Sequence, residues 1–331
     1  MSKIFSFGEL LLRMSPVLNR QWIQRAQMPV YVGGAELNVA TALAKWGVPV
    51  KFGTALPEHY LSNEIIDGLQ AKGIDTSAIH FSGERIGIYY LPQGADLKHS
   101  GVIYDRAYSS FSCLQPGMID WDTVLNDCSW FHFSAISPAL NKNVTAVCKE
   151  ALEVATKKKL TISVDLNYRS KLWKYGQQPV DVMPQLLEHC HVVMGNLWAA
   201  ECLLGIPSTV NSSKGSSNNQ LADAALQSMD ILKAKYPQVH TMAYTFRLDE
   251  HYFAILYTNG TIETSATYPL LNIRDKVGSG DCFMGGLIYG IYNQQSPKEI
   301  INYAASAAVG KMQETGDTTD QTIAAVKNRM A

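Results

Sequence analysis

Short apolar runs alternate with helical patterns along nearly the whole chain, and this alternation limits the folds that the sequence can adopt. Runs that suit a buried strand, each followed by a polar or glycine-rich turn, occupy residues 4–7, 50–54, 130–133, 160–164, 192–194 and 241–245. Apolar residues at helical spacing occupy residues 35–46, 60–72 and 141–158. Because strands covered on both faces are apolar throughout, the alternation predicts an α/β fold with a mainly parallel central sheet and helices on both faces.

Two segments depart from this alternation. Residues 86–108 contain two runs whose side chains alternate between faces, separated by a polar turn around residues 94–100, which is typical of a β-hairpin. Residues 13–32 have mixed polarity and can pair with that hairpin. We therefore expect one domain over residues 1–331, with a discontinuous small β-sheet lid from about 13–33 and 83–110. An ordinary surface excursion is the alternative.

The charge balance argues against several classes of partner. The 331 residues include 28 Lys and Arg against 29 Asp and Glu, so the usual electrostatic reason to expect nucleic acid or an anionic membrane is missing. Six scattered cysteines without CxxC spacing indicate reduced thiols. The sequence also lacks an apolar run near the roughly 20 residues that a bilayer crossing needs. It predicts a cytoplasmic protein with a small-molecule partner, no nucleic acid and no membrane.

The strongest local motif is rich in glycine and lies near the C-terminus. Gly278, Ser279, Gly280 and Asp281 directly precede a helical apolar pattern. Glycines before a helix let several backbone N–H groups converge, and the helix N-terminus adds about half a positive charge, so the segment suits a phosphoryl group in transfer. Asp281 is either a helix cap or a base that accepts a proton from an attacking hydroxyl. Its place beside an anion site favours the base.

Two other phosphate-binding motifs fail to match this segment. A P-loop carries lysine and then serine or threonine directly after its last glycine, where this chain has Asp281 and Cys282. A dinucleotide-binding fingerprint follows the first strand of its domain, whereas this segment lies near the other end of the chain.

A second glycine motif lies near the N-terminus. Gly33 and Gly34 open a helix of small residues that begins at Ala35, and Asn38 can both donate and accept hydrogen bonds with hydroxyl groups. This Gly-Gly-Ala-x-x-Asn-Val-Ala block and the Asp-x-x-Gly-x-Gly-Asp block lie about 240 residues apart. Together they resemble the two signatures of the ribokinase-like (phosphofructokinase B-type) carbohydrate kinases.

Within that family the chain is similar to the 2-keto-3-deoxygluconate kinases over roughly residues 3–320. The matching stretches are residues 7–13, 83–85, 102–106, 165–169, 172–173 and 316–317. The resemblance implies a ribokinase-like fold whose lid is often shared between two subunits, and hence a homodimer or higher oligomer. It also implies transfer of a phosphoryl group from ATP, with Mg²⁺, to the 6-hydroxyl of 2-keto-3-deoxygluconate (2-dehydro-3-deoxygluconate).

The resemblance also assigns roles to individual residues. Asp281 matches the catalytic base, and Gly278, Ser279 and Gly280 match the anion hole, with Ser279 in place of the commoner alanine. Positions that match substrate-binding residues are Gly34, Ala35, Asn38, Tyr89, Tyr104, Arg106, Arg169 and Asp317. Positions expected to bind ATP are Asn167, Arg169, Asn196, Thr245 and Arg247.

A sugar acid as substrate agrees independently with the chemistry of these residues. A guanidinium group holds a carboxylate through two parallel charge-assisted hydrogen bonds, which a neutral sugar does not need. Arg106 and Arg169 are the candidates. Each can instead form an ordinary surface ion pair, and Arg169 can serve phosphate as well as substrate.

Two stretches depart from the pattern of the family. Many relatives carry an Asn-x-x-Glu motif that organises magnesium through water, but here Ala199 stands three residues after Asn196, and Glu201 cannot be assumed to replace the glutamate. Relatives often have Lys-Leu-Gly near the position of Thr245 and Arg247. The metal ligands are therefore unknown from the sequence, although magnesium is still expected to neutralise ATP.

Two alternative functions stay open at this point. One is a fructokinase or another ribokinase-like sugar or nucleoside kinase. The other is a nucleotide-binding regulator that has lost catalysis, which the alanine at position 199 suggests and Asp281 argues against.

Overall fold

Two sheets of unequal size organise the chain in the computed structural model, which describes residues 2–94, 101–210 and 215–330. The strands are β1 (Lys3–Phe7), β2 (Leu11–Met14), β3 (Val30–Gly33), β4 (Val50–Leu56), β5 (Ile74–Phe81), β6 (Gly87–Tyr90), β7 (Ile103–Asp105), β8 (Cys128–Ser134), β9 (Thr161–Asp165), β10 (Val192–Gly195), β11 (Thr241–Arg247), β12 (His251–Thr258), β13 (Thr261–Thr264) and β14 (Tyr268–Pro269). The helices are α1 (Gln21–Gln24), α2 (Ala35–Lys45), α3 (Tyr60–Ala71), α4 (Trp121–Val124), α5 (Lys142–Lys157), α6 (Pro179–Leu187), α7 (Leu197–Leu204), α8 (Asn218–Lys235), α9 (Ser279–Tyr292), α10 (Pro297–Met312) and α11 (Ile323–Met330).

The large sheet has the strand order β13-β12-β11-β10-β9-β8-β1-β4-β5, with β14 paired to β12. From β11 to β5 every pairing is parallel, whereas β12, β13 and β14 are joined by antiparallel pairings. Each of the six strands predicted from apolar runs is present, with ends within two residues of those expected. The mainly parallel sheet is thus confirmed.

Helices cover both faces of this sheet. Along β10, Val193 packs into a core that includes residues of α5, α6, α7 and α8, whereas Val192 and Met194 pack into a core that includes α2, α9, α10 and α11. Neighbouring residues of a strand point to opposite faces, so these cores lie on opposite sides. This explains why the predicted strands are apolar throughout and confirms the expected layers.

The small sheet has the order β3-β2-β6-β7. The predicted hairpin is formed by β6 and β7, which pair antiparallel, and the segment expected to join it supplies β2 and β3. A small separate sheet is therefore confirmed. Part of the turn expected around residues 94–100, namely residues 95–100, lies outside the described residues.

Close packing on both sides of α9 sets the position of the glycine-rich motif. A methyl group added to Gly285 would lie 3.1 Å from the Ala42 side chain of α2, and one added to Gly286 would lie 2.7 Å from the Ala304 Cα of α10. The two glycines therefore let α9 approach both neighbours more closely than larger residues would allow. The start of α9 is consequently held against the first turn of α2.

Among the described residues, no helix combines the length and the apolar character needed to cross a membrane. All six cysteines carry free thiols, as the scattered spacing predicted.

Candidate active site

One pocket lies at the carboxyl ends of the parallel strands, where ligands bind in open α/β sheets. Its wall includes Asp165 at the end of β9, Gly195 at the end of β10 and Arg247 at the end of β11. Every residue given a catalytic or binding role from the sequence lines this pocket: Gly34, Ala35, Asn38, Tyr89, Tyr104, Arg106, Asn167, Arg169, Asn196, Thr245, Arg247, Gly278, Ser279, Gly280, Asp281 and Asp317.

Asp281 lies in the first turn of α9 and is 8% exposed. Its Oδ2 accepts a hydrogen bond from Asn38 Nδ2 at 2.7 Å. Burial raises the pKa of Asp281 to about 7, against the lowering effects of the Asn38 hydrogen bond and the charge of Arg169. A carboxyl group with this pKa can exchange a proton near neutral pH, as a general base requires.

Residues 278–280, directly before Asp281, form the turn that the sequence predicts to bind an anion, and we call it the anion-binding turn. Gly278 is the N-cap of α9 with φ +79°, and a methyl group there would lie 1.9 Å from the Asp317 carbonyl oxygen, so glycine is required on both counts. The first N–H groups of a helix have no acceptor within the helix. Ser279 Oγ donates to the Lys276 carbonyl oxygen at 2.9 Å and so closes the turn below those groups. The anion hole stays a prediction, made for a turn whose conformation only glycine fits at position 278.

A buried ion network connects the small sheet to this turn. Arg13 on β2 is 2% exposed, and its Nε lies 2.6 Å from Asp317 Oδ1 while its Nη2 donates to Asp275 Oδ2 at 2.7 Å. Tyr89 on β6 donates from its hydroxyl to Asp317 Oδ2 at 2.8 Å. Sequence reasoning gave Arg13 no role, although it lies in one of the stretches that carried the resemblance.

Arg106 is held by a protein carboxylate rather than left as an open fork. Its Nε donates to Glu9 Oε2 at 2.6 Å, its Nη2 forms an ion pair with the same oxygen, and Ser109 Oγ donates to Glu9 Oε1. Glu9 and Arg106 are both buried. Arg106 was expected to hold a substrate carboxylate through two parallel hydrogen bonds. Glu9 already occupies its Nε and Nη2 atoms.

The residues expected to bind ATP line the pocket where β9, β10 and β11 end: Asn167 and Arg169 follow β9, Asn196 follows β10, and Thr245 and Arg247 lie in the last part of β11. Asn196 Oδ1 accepts from the Ala199 N–H at 2.9 Å and caps α7. Arg169 Nη1 donates to the Tyr168 carbonyl oxygen at 3.0 Å, and Arg247 Nη1 lies 3.5 Å from Ser279 Oγ. The side chain of Asn196 thus has a structural task, while Arg247 reaches the anion-binding turn.

The carboxylates around the pocket do not form a preformed metal cage. Ala199 is buried at the position where the family glutamate was expected, and Glu201 is exposed further along α7. Across the described ranges, no group of three or more His, Cys, Asp and Glu side chains is placed to hold a metal ion. The donor set fits Mg²⁺ bound mainly through phosphate oxygens and water, which is a common mode for this ion.

Sequence reasoning gave no site role to three buried acids on the pocket wall, namely Glu9, Glu36 and Asp165. Glu36 lies in the first turn of α2, and its Oε1 accepts from Ser134 N at 2.9 Å and from Ser134 Oγ at 2.6 Å. Burial raises the pKa of Glu36. The sequence marks the position of Glu36 only indirectly, through Gly8: a methyl group on Gly8 would overlap the Glu36 carboxylate, so a glycine is needed there.

Comparison with known proteins identifies the family of this chain. Residues 1–324 match the model of the pfkB family of carbohydrate kinases. The structure resembles a 2-dehydro-3-deoxygluconokinase from Thermotoga maritima with a TM-score of 0.88 and 33% sequence identity, covering 99% of this chain and 98% of that one.

Two curated relatives are more distant or match over a shorter region. A 2-dehydro-3-deoxygalactonokinase from Haloferax volcanii is 31% identical over 172 residues, which are 52% of this chain and 54% of that protein, so the match spans about half its length. A 5-dehydro-2-deoxygluconokinase from Bacillus velezensis is 22% identical over 292 residues, which are 88% of this chain and 82% of that protein.

The chain therefore belongs to the pfkB family of carbohydrate kinases. This membership confirms the ribokinase-like fold and the expected enzyme class, a phosphotransferase with an alcohol group as acceptor.

The pKa of Asp281 predicts how activity depends on pH. A base must be ionised to accept a proton, so kcat/KM should fall about tenfold per pH unit below about pH 7. Asn38→Ala removes the donor that favours the ionised form and should move this acid limb upward by about one pH unit or more. Steady-state rates from about pH 5 to pH 9 measure both effects.

Thr41→Ala is the matched control for the Asn38 variant. Thr41 is also buried on α2, but its hydroxyl donates to the Leu37 carbonyl oxygen within the helix. The acid limb of the pH profile of Thr41→Ala should coincide with that of the unchanged protein. An Asn38→Ala profile that also coincides would show that Asp281 is not the titrating base.

Proposed function

We propose that this chain transfers the terminal phosphoryl group of ATP to the 6-hydroxyl of 2-keto-3-deoxygluconate. The observation that carries the proposal is the buried Asp281, hydrogen-bonded to Asn38 and placed directly after the Gly278–Gly280 turn. A base and an anion-binding turn on one helix start are the parts that phosphoryl transfer to an alcohol needs. The similarity to a 2-dehydro-3-deoxygluconokinase supports the choice of substrate.

Asp281 is the proton acceptor in this reaction. As the 6-oxygen forms its bond to phosphorus and the bond to the ADP oxygen breaks, the hydroxyl proton moves to a carboxylate oxygen of Asp281. Asn38 orients the base. Its side-chain amide donates a hydrogen bond to Asp281 Oδ2 and so fixes the orientation of the carboxylate. The proton then passes to water, and ADP and the 6-phosphate leave.

The Gly278–Gly280 turn stabilises the charge on the group in transfer. Its N–H groups and the positive end of the α9 dipole point to the same place beside Asp281. Arg169 lies close enough to Asp281 to lower its pKa, so its charge also acts at the reacting end of the pocket. Arg169 therefore serves the phosphoryl group better than the distant carboxylate of a sugar acid.

The other end of the pocket suits the sugar acid. Arg106, fixed by Glu9, supplies the positive charge there, and Tyr89 and Tyr104 face each other across β6 and β7 beside it. Gly34, Ala35 and Asp317 complete the expected sugar contacts on the same wall.

ATP and Mg²⁺ are proposed on the basis of the family and of the residues present. Asn167, Thr245 and Arg247 lie on the pocket wall beyond the anion-binding turn and would contact the nucleotide. Mg²⁺, when bound, neutralises phosphate charge. Asp165, also on the pocket wall, would orient its water shell.

A substrate panel tests the function. We expect ATP-dependent turnover of 2-keto-3-deoxygluconate, and much slower turnover of fructose, ribose and gluconate, in an assay coupled to ADP release. Asp281→Asn should lower kcat by about two to four orders of magnitude while the Kd for ATP changes little, because only the proton acceptor is lost. Phosphorus NMR of the product locates the ester.

Different results in this panel would point to the alternative functions. Preferred turnover of fructose, or of a nucleoside, would identify another kinase of the same scaffold. Binding of ATP without turnover of any sugar would favour a regulator, and near-normal turnover by Asp281→Asn would remove the assigned base.

The role of Arg106 requires a double substitution. Arg106→Met alone would leave Glu9 buried without its cation, which is strongly destabilising, so Glu9→Gln/Arg106→Met is the cleaner variant. The KM for the sugar acid should rise about 10- to 100-fold, with the KM for ATP unchanged, because a charge-assisted contact is lost. Arg85→Met is the control, because it removes a partly exposed arginine that pairs with Asp105 and does not line the pocket. An unchanged KM for the sugar acid would show that Arg106 does not bind it.

We also propose that the small sheet is a lid and a self-association surface. Val30 on edge strand β3 and Ile103 on edge strand β7 are 50% and 62% exposed, and unpaired edges with apolar side chains favour pairing with a second copy. Light scattering should give at least twice the 36.5 kDa chain mass, and Ile103→Asp should lower it. A mass of one chain for the unchanged protein would contradict this.

A further inference from the structure

Lys311 has an unusual environment for a lysine. It lies in the last turn of α10 and is 0% exposed. Its Nζ has no hydrogen-bond partner in the part of the chain that the structure describes. A buried ammonium group without such partners is costly to fold, which makes a functional reason for its presence worth seeking.

The Lys311 side chain lies directly behind the anion-binding turn. A methyl group built on Gly278 would be 3.3 Å from Lys311 Cε. The adjoining backbone is fixed as well, because Arg274 N and Asp275 N donate to the Met312 carbonyl oxygen at 2.8 and 3.2 Å. The end of α10 and the segment that leads into the turn are thus one connected unit.

Four titratable groups lie near enough to Lys311 to raise its pKa through their charge, against the lowering effect of burial. They are Asp275 before the turn, Glu314 after α10, Cys282 on α9 and Asp317. Asp275 and Asp317 already form ion pairs with Arg13. These two carboxylates are therefore shared with Arg13, and within the described residues none of the three carboxylates hydrogen-bonds the Lys311 ammonium group. The C-terminal end of the α10 dipole also favours a cation in its last turn.

We propose that Lys311 is a positioning residue for phosphoryl transfer, which holds a positive charge behind the Gly278–Gly280 turn and strengthens its binding of the group in transfer. This role rests on the proposed kinase function but not on the identity of the sugar. A fixed charge in a site of low dielectric acts through the turn without touching the substrate. Burial of the ammonium group lowers the stability of the fold, and in return the turn carries its positive charge before the phosphoryl group arrives.

Lys311→Met tests this role, because methionine has a similar length and no charge. We expect kcat to fall about tenfold to a hundredfold with little change in the KM of the sugar. The melting temperature should stay the same or rise, since an unpartnered charge is removed from the interior. Lys45→Met is the matched control: Lys45 also lies in the last turn of a helix packed on α9, but it is exposed, so nothing should change.

A binding measurement separates this proposal from the choice of substrate. ADP with aluminium fluoride mimics the phosphoryl group in transfer, and calorimetry measures its affinity without any sugar turnover. Lys311→Met should bind this mimic at least about tenfold more weakly while its affinity for ADP alone stays the same. Lys311→Gln, which keeps a polar group but no charge, should behave similarly and serves if the methionine variant fails to fold.

Two further readouts distinguish charge from packing. Burial lowers the pKa of Lys311, so kcat should decline on the alkaline side below pH 10.5, and Lys311→Met should lack this decline. Methylammonium should partly restore kcat to Lys311→Ala, whereas tetramethylammonium should not, because it is too large. A lower melting temperature with unchanged kcat and unchanged binding of the mimic would overturn the proposal and leave Lys311 a structural residue.

Discussion

The burial of several carboxylates around one pocket is the constraint on which the rest of this structure depends. Glu9, Asp317 and Asp281 are all buried there, and an ionised carboxylate away from water needs a partner. Arg106 pairs with Glu9 and Arg13 with Asp317, whereas Asp281 is held by the neutral amide of Asn38. Burial raises the pKa of Asp281 to about 7, because the Asn38 hydrogen bond and the charge of Arg169 offset the loss of water only in part. A carboxyl group with this pKa can serve as a base near neutral pH.

The same ion pairs couple the small sheet to the catalytic turn. Tyr31, Arg13, Tyr89 and Tyr104 are direct cross-strand partners in a row across β3, β2, β6 and β7. The Arg13 guanidinium lies 4.4 Å above the Tyr31 ring, and its other contacts reach the segment around the turn. A shift of β2 would therefore also move partners of Asp317 and Asp275. The small sheet and the segment around the turn are therefore mechanically connected.

The sequence specified the large sheet well because each parallel strand is covered on both faces. Such strands form continuous apolar runs, and β8 and β10 were readable for that reason. β12 was not predicted: it follows β11 after a tight turn and pairs antiparallel at the sheet's end, where alternation between strand and helix no longer applies. The hairpin of β6 and β7 was readable because its side chains alternate between faces.

The site residues were readable only where a local motif carried them. Asp281 and Asn38 lie in glycine-rich motifs at two helix starts, but their hydrogen bond joins positions 243 residues apart. Contacts of this kind depend on the close approach of α9 to α2 and leave no periodic signal. Lys311 is the extreme case, because its spacing is that of any helical lysine and only the folded structure shows that its ammonium group is buried.

The pair of Glu9 and Arg106 has a consequence for substrate recognition. A guanidinium that waits alone for a carboxylate must lose rotamer freedom when the substrate binds, and this loss reduces affinity. Glu9 removes that cost in advance, because it holds Nε and Nη2 in one orientation. The Glu9 carboxylate also cancels part of the positive charge of Arg106. The attraction of Arg106 to anions in general is therefore weaker, while the orientation of its guanidinium group is kept. In the proposed substrate site the pair would thereby trade affinity for selectivity, since a carboxylate would gain from Arg106 only when the rest of the sugar fits the tyrosines and Asp317 beside it.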